Sequence, residues 1–131
     1  MTIERSEIQL ILDQKFTADG QIVLTSPIVC DQWEWFALMY SVKDSGTCPA
    51  KSYIRIDTMF VDKNDNRYRL TEANFGCVLE EVTFVDVKRA IVGRCIPEQL
   101  MFEVSATGSL STSNYYTVVL RVQFYREIPN K

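Results

Sequence analysis

Histidine is missing from this chain of 131 residues, and that absence excludes a wide range of chemistry. Without an imidazole there is no Ser-His-Asp or Cys-His relay and no histidine-held metal. No P-loop, G-x-G-x-x-G or G-x-S-x-G run occurs either. The acidic residues are scattered among apolar ones or sit in turns, so no carboxylate pair stands out for acid–base work. The sequence therefore predicts a protein that is not an enzyme and has no cofactor. An excess of positive charge is also absent. The net charge is -3 and the pI about 5.0, which gives no basic field to attract nucleic acid. No apolar run approaches the ~20 residues that span a bilayer. The opening "MTIERSEIQ" is too charged for a secretory signal, and no Asn-x-Ser/Thr acceptor occurs. Linkers, low-complexity tracts and charge blocks are lacking too. These absences together predict a cytoplasmic protein with no membrane or nucleic-acid partner.

What is there is an ordinary globular composition, 47% hydrophobic and 24% charged. It suits one domain over residues 1–131 with a single core. Cys30, Cys48, Cys77 and Cys95 lack the close pairing that zinc ligands need. Without a secretory signal the thiols are expected to be reduced. In a secreted fragment two disulfides become plausible, and sequence alone does not pair them.

Period-two alternation recurs along the chain. "QLMFEVSAT" sets Leu100, Phe102, Val104 and Ala106 against Met101, Glu103 and Ser105. "YYTVVLRVQFYREI" puts Tyr116, Val118, Leu120, Val122 and Phe124 on one face. "SYIRIDTMFV" places Ile54, Ile56 and Phe60 opposite Tyr53, Arg55, Asp57 and Met59. "EIQLILD" alternates through Ile8, Leu10 and Leu12, with Ile11 breaking the polar face. The pattern predicts an antiparallel β-sandwich of about seven to nine strands. "TFVDVKRAIV" differs: Phe84, Val87, Lys88 and Ile91 recur at three- and four-residue steps, which suits one short helix in a crossover.

Three places invite a functional reading. The first is "CDQWEWFALMYSV". From Phe36 onward both faces are apolar, which predicts a central strand covered on each side, with Trp35, Phe36, Leu38 and Tyr40 in the core. Trp33, between Gln32 and Glu34, is the tryptophan expected to reach the surface, where a rim Trp can anchor a partner. The second is "DKNDNR", whose Asp62, Asn64 and Asn66 resemble the opening of a calcium loop. Arg67 stands where that loop needs Gly, and Ala73 where it needs a bidentate Glu. A hairpin turn is the expectation, with no metal. The third is the polar face carrying Arg55, Asp57, Arg67 and Arg69 near Tyr53 and Tyr68. Such a face is ordinarily solvated, yet Tyr and Arg are the residues interfaces enrich. Trp33, Tyr53, Arg55, Arg67, Tyr68 and Arg69 are the candidate peptide-binding residues.

The runs "SYIRIDTMFVDKNDNRYRL" and "TFVDVKRAIVGRCIPEQLMFEVSA" resemble the second half of a MATH (TRAF-like) domain. Phe84-Val85 stand where that family has Phe-Ile before a short helical turn. Ile96, Glu98, Leu100, Phe102 and Val104 fit the strand that follows. "SPIVCDQW" is similar to the Ser-Pro-x-Phe that precedes the family's Trp. Cys77-Val78-Leu79 replace the family's Trp-Gly-Phe, so its groove residues are not carried over, and Tyr115–Arg126 lie beyond the family's usual end. The resemblance implies a cytosolic recognition module that binds an extended peptide along an exposed strand. Such modules often act as substrate adaptors in ubiquitin ligation. Two other readings suit an all-β chain without a catalytic motif. One is a structural or assembly protein of viral or phage type, forming homo-oligomers through sheet edges. The other is a lectin-like or adhesive sandwich outside the cell.

Overall fold

Strands with one apolar face bury that face against a second layer. The computed structural model, which describes residues 2–47, 49–76, 86–95 and 98–129, does so with antiparallel strands in two sheets. The first sheet holds β1 (Thr2–Arg5), β2 (Gln9–Phe16), β5 (Trp35–Asp44), β8 (Asp86–Arg94) and β10 (Tyr116–Ile128). Strand β10 is central, with β5 and then β8 on one side and both β1 and β2 on the other. The second sheet holds β3 (Ile22–Leu24), β4 (Ile28–Val29), β6 (Tyr53–Val61), β7 (Arg67–Gly76) and β9 (Gln99–Thr107). In that sheet β9 carries β3 and β4 on one edge and β6, then β7, on the other.

The expected sandwich is therefore observed, with ten described strands rather than about seven to nine. Two interrupted edges contribute to the larger number. Between β1 and β2, the Ser6 hydroxyl accepts the Phe124 N–H at 2.9 Å, and the Ser6 N–H donates to the Phe124 carbonyl. Between β3 and β4, the Thr25 hydroxyl accepts the Phe102 N–H at 2.9 Å, and the Thr25 N–H donates to the Phe102 carbonyl. Each central strand thus keeps its backbone groups paired where the edge breaks.

The core lies between the sheets. Phe36, Leu38 and Val42 of β5 meet Ile54, Ile56 and Phe60 of β6, Leu100, Phe102, Val104 and Ala106 of β9, and the even-numbered face of β10. Alternation in β9 and β10 gave the buried face correctly. Tyr116 is buried with its hydroxyl 2.9 Å from Ser52 Oγ, the polar partner a buried tyrosine needs.

Four local expectations are corrected. No helix is present among the described residues: Val87, Lys88 and Ile91 belong to β8, while Phe84 lies outside them. Val87 and Ile91 are four apart, a step that places residues on one face of a helix and also on one face of a strand. Second, Leu10 and Ile8 are exposed, whereas Ile11 and Leu12 pack on the core. A register shift opposite Leu120/Arg121 lets these consecutive residues both turn inward. Third, Trp35 is only partly buried and faces outward from the first sheet, beside Tyr125 and Arg94. Trp33 lies before β5 begins, and it is the tryptophan that packs on the core. Fourth, β5 is central, but only its Phe36–Val42 face is covered by the other sheet; Met39 and Ser41 remain partly exposed.

Candidate functional site

The six sequence-selected residues do not converge. Trp33 sits at one end of the sandwich, its ring stacked on Phe124 at 6.3 Å with the Arg126 guanidinium 5.0 Å over it. Arg126 also donates to Glu4 Oε1 at 2.9 Å. Tyr53 is exposed at the start of β6, at the far end of the β6–β7 pair from Arg67. Tyr68 is exposed beside the turn, and its hydroxyl donates to Asp62 Oδ2 at 3.3 Å.

Arg55 and Arg69 are drawn inward by a carboxylate. Asp57 is 1% exposed on the outer face of the second sheet and ion-pairs with both, Nε to Oδ at 3.3 Å each. Arg69 reaches on to Glu103 Oε1 at 2.9 Å. Met59, Val61 and Met101 are buried on this same face. The expected solvated face is thus a half-covered one, in which two arginines compensate a buried charge.

The Asp62–Asn66 segment is the hairpin turn expected from its Asp and Asn content. Asp62 Oδ1 accepts the N–H groups of Asn64 and Asn66 at 2.8 and 2.9 Å, and Oδ2 accepts the Asn66 amide at 3.0 Å. These donors, the Asn66 backbone first, hold the Asp62 carboxyl below its usual range. Both oxygens serve the turn. Beside it a hollow of about 350 Å³ is lined by Val29, Asp31, Val61, Asp62, Lys63, Asp65, Glu98 and Gln99. Among the described residues no group of three or more Cys, Asp or Glu is placed to hold a metal ion.

Outside the six lies a more coherent surface. Strand β8 is nine residues long and pairs, among the described residues, only with β5. Its sequence "DVKRAIVGR" carries Lys88, Arg89 and Arg94 against the single carboxylate of Asp86. Val92 is 69% exposed on the same outward face as Lys88 and Arg94. Inboard of the edge a shallow depression of about 630 Å³ is lined by Met39, Tyr40, Ser41, Lys88, Arg89, Ala90, Val119 and Arg121. Further along β8, Gly93 leaves room for the ring of its cross-strand neighbour Phe36, which a Cβ there would meet at 2.7 Å. The strand's three cations and period-two alternation were visible in the sequence, but the helical reading of the same residues hid them.

No family model matches the chain, and no curated protein matches it either. Among the described residues no helix is long and apolar enough to cross a membrane.

Proposed function

We propose that this protein is an interaction module that takes up an extended, acidic peptide as an additional strand along β8. This is the mode implied by the MATH resemblance, and it places an adaptor-like, non-enzymatic module in the cytoplasm. The observation that carries the reading is a nine-residue strand with one partner, β5, among the described residues. Such an edge offers unpaired N–H and C=O groups for strand addition. The chemistry of the partner follows from Lys88, Arg89, Arg94 and the neighbouring Arg121, which favour carboxylates. The depression over Met39 and Ala90 offers room for apolar side chains at alternate positions of the peptide. Lysine and arginine on an edge also discourage pairing with a second copy, because like charges would face each other. That disfavours self-assembly through β8.

Fluorescence anisotropy with a labelled acidic β-prone peptide tests the reading. The Lys88→Glu/Arg94→Glu variant is expected to lose ~10-fold in affinity, the sum of two exposed charge contacts each reversed. Equal binding by the variant, or equal binding of a lysine-substituted peptide, would refute it. Light scattering that finds a fixed oligomer broken by the same substitutions would favour the assembly reading instead.

A further inference from the structure

The outward face of β8 presents its side chains in a fixed order. Alternation puts Lys88, Ala90, Val92 and Arg94 on one side of the first sheet, and Val87, Arg89, Ile91 and Gly93 on the other. Val87 and Ile91 pack against the core, so the first set faces away from it. All four outward residues are exposed, Val92 to 69%. Their neighbours on β5 continue the order inward. Lys88 stands opposite Ser41, Ala90 opposite Met39, Val92 opposite Ala37 and Arg94 opposite Trp35. The middle of the edge is therefore apolar across both strands, and a cation of β8 closes it at each end. Among the described residues neither Lys88 nor Arg94 takes part in an ion pair. Asp86 lies outside this stretch and stands opposite Lys43.

We infer that β8 selects its partner by a period-two order of side chains: acidic, any, apolar, any, apolar, any, acidic. The inference rests on strand addition at β8 and states which acidic peptide that strand accepts. Side chains directly opposite on neighbouring strands share a face and approach closely. A peptide laid along β8 thus sets every second side chain beside Lys88, Ala90, Val92 or Arg94. Opposite Lys88 and Arg94 a carboxylate meets a cation that has no other carboxylate partner, whereas a lysine there is repelled. Opposite Ala90 the small side chain leaves space toward Met39 in the depression, which an apolar side chain fills. Opposite Val92 a second apolar side chain takes the exposed valine out of water. A carboxylate at either middle position is set against apolar surface and loses hydration without a cation at its own position. Arg121 lies opposite Met39 on β10, two strands in from β8, and favours negative charge on the peptide as a whole. The intervening side chains of the peptide turn to the other side of the sheet, at the level of Arg89, Ile91 and Gly93, and are left free by this order.

Fluorescence anisotropy with two labelled peptides of one composition tests the order. They are Glu-Thr-Val-Thr-Val-Thr-Glu and Val-Thr-Glu-Thr-Glu-Thr-Val, each with neutral ends. Both alternate and both carry the same charge, so only the places of the acidic and apolar side chains differ. The first is expected to bind ~10-fold more tightly, the combined effect of two exposed charge contacts and two covered apolar side chains. The Lys88→Glu/Arg94→Glu variant should reverse the choice of end residue and prefer Lys-Thr-Val-Thr-Val-Thr-Lys to the Glu-ended peptide. A folded variant without that reversal would overturn the assignment of the end positions; if the variant does not fold, the two orders on the natural chain decide. Equal binding of both orders, each protecting alternate β8 amides from exchange, would overturn the order and leave strand addition standing. Binding of neither peptide, or binding without protection in β8, would overturn strand addition itself and the order with it.

Discussion

Truncating Trp33 to alanine should destabilise the protein more than truncating Trp35. Trp33 stacks on Phe124, which is itself buried, and lies under Arg126. A fully buried tryptophan truncated to alanine costs ~3–5 kcal/mol. Trp33 is half-buried, so about 2–3 kcal/mol is expected, including ~0.5–1.5 kcal/mol for the ring pair. The cation–π contact adds ~0.5 kcal/mol at this exposed position. Trp35 projects outward between Tyr125 and Arg94. Losing those cross-strand contacts should cost ~0.5–1 kcal/mol. Urea unfolding followed by far-UV circular dichroism separates the two. With a slope of ~1.5 kcal/mol/M for a chain of this size, the Trp33→Ala midpoint should fall by ~2 M and the Trp35→Ala midpoint by ~0.5 M. Equal shifts, or a larger one for Trp35→Ala, would refute the placement of the two rings.

Arg69→Ala should cost about 1–2 kcal/mol, less than a fully buried pair because the guanidinium is half exposed; a loss below the error of urea titration would show that Asp57 needs only Arg55. Asp62→Asn should destabilise at neutral pH and lose that effect in acid. The folded carboxyl titrates below its unfolded value, so its contribution is present above pH ~4 and disappears as pH falls through the folded pKa; melting curves of the two proteins from pH 7 downward should converge, and millimolar calcium should shift neither. Deleting the chain from Tyr115 removes the central strand of the first sheet and should abolish cooperative unfolding; a truncated protein that stays folded and monomeric would contradict the single-core reading.

Strands were legible where one face is continuously buried and pairing is regular. Phe102 to Ala106 and Tyr116 to Phe124 alternate without interruption, and their burial follows; Met101, on the outer face, is buried as well. The errors fall where the period breaks. Ile11 and Leu12 both turn inward at a register shift, and no alternation rule anticipates which residue a bulge admits. The two tryptophans exchange their expected places because Trp33 precedes β5, so strand alternation does not govern its side chain. In β8 a step of four residues fitted two periods equally. Burial of Asp57 was hidden for another reason: its compensating arginines arrive from two strands, and composition does not reveal which cations meet. Residues of the family resemblance at Cys77–Leu79, Phe84-Val85 and Ile96 lie outside the described residues.

Strand addition at β8 has a direct signature in backbone amides. An antiparallel strand turns alternate N–H groups toward each neighbour, so β8 directs one set at β5 and the other away from it. Amide hydrogen exchange measured residue by residue, with and without a saturating acidic peptide, should show new protection at every second residue between Asp86 and Arg94. Protection in β10, already central in its sheet, should stay unchanged. Protection that appears instead at Tyr53, Arg67 and Tyr68, with β8 exchanging as before, would contradict the account and move the peptide to the other sheet.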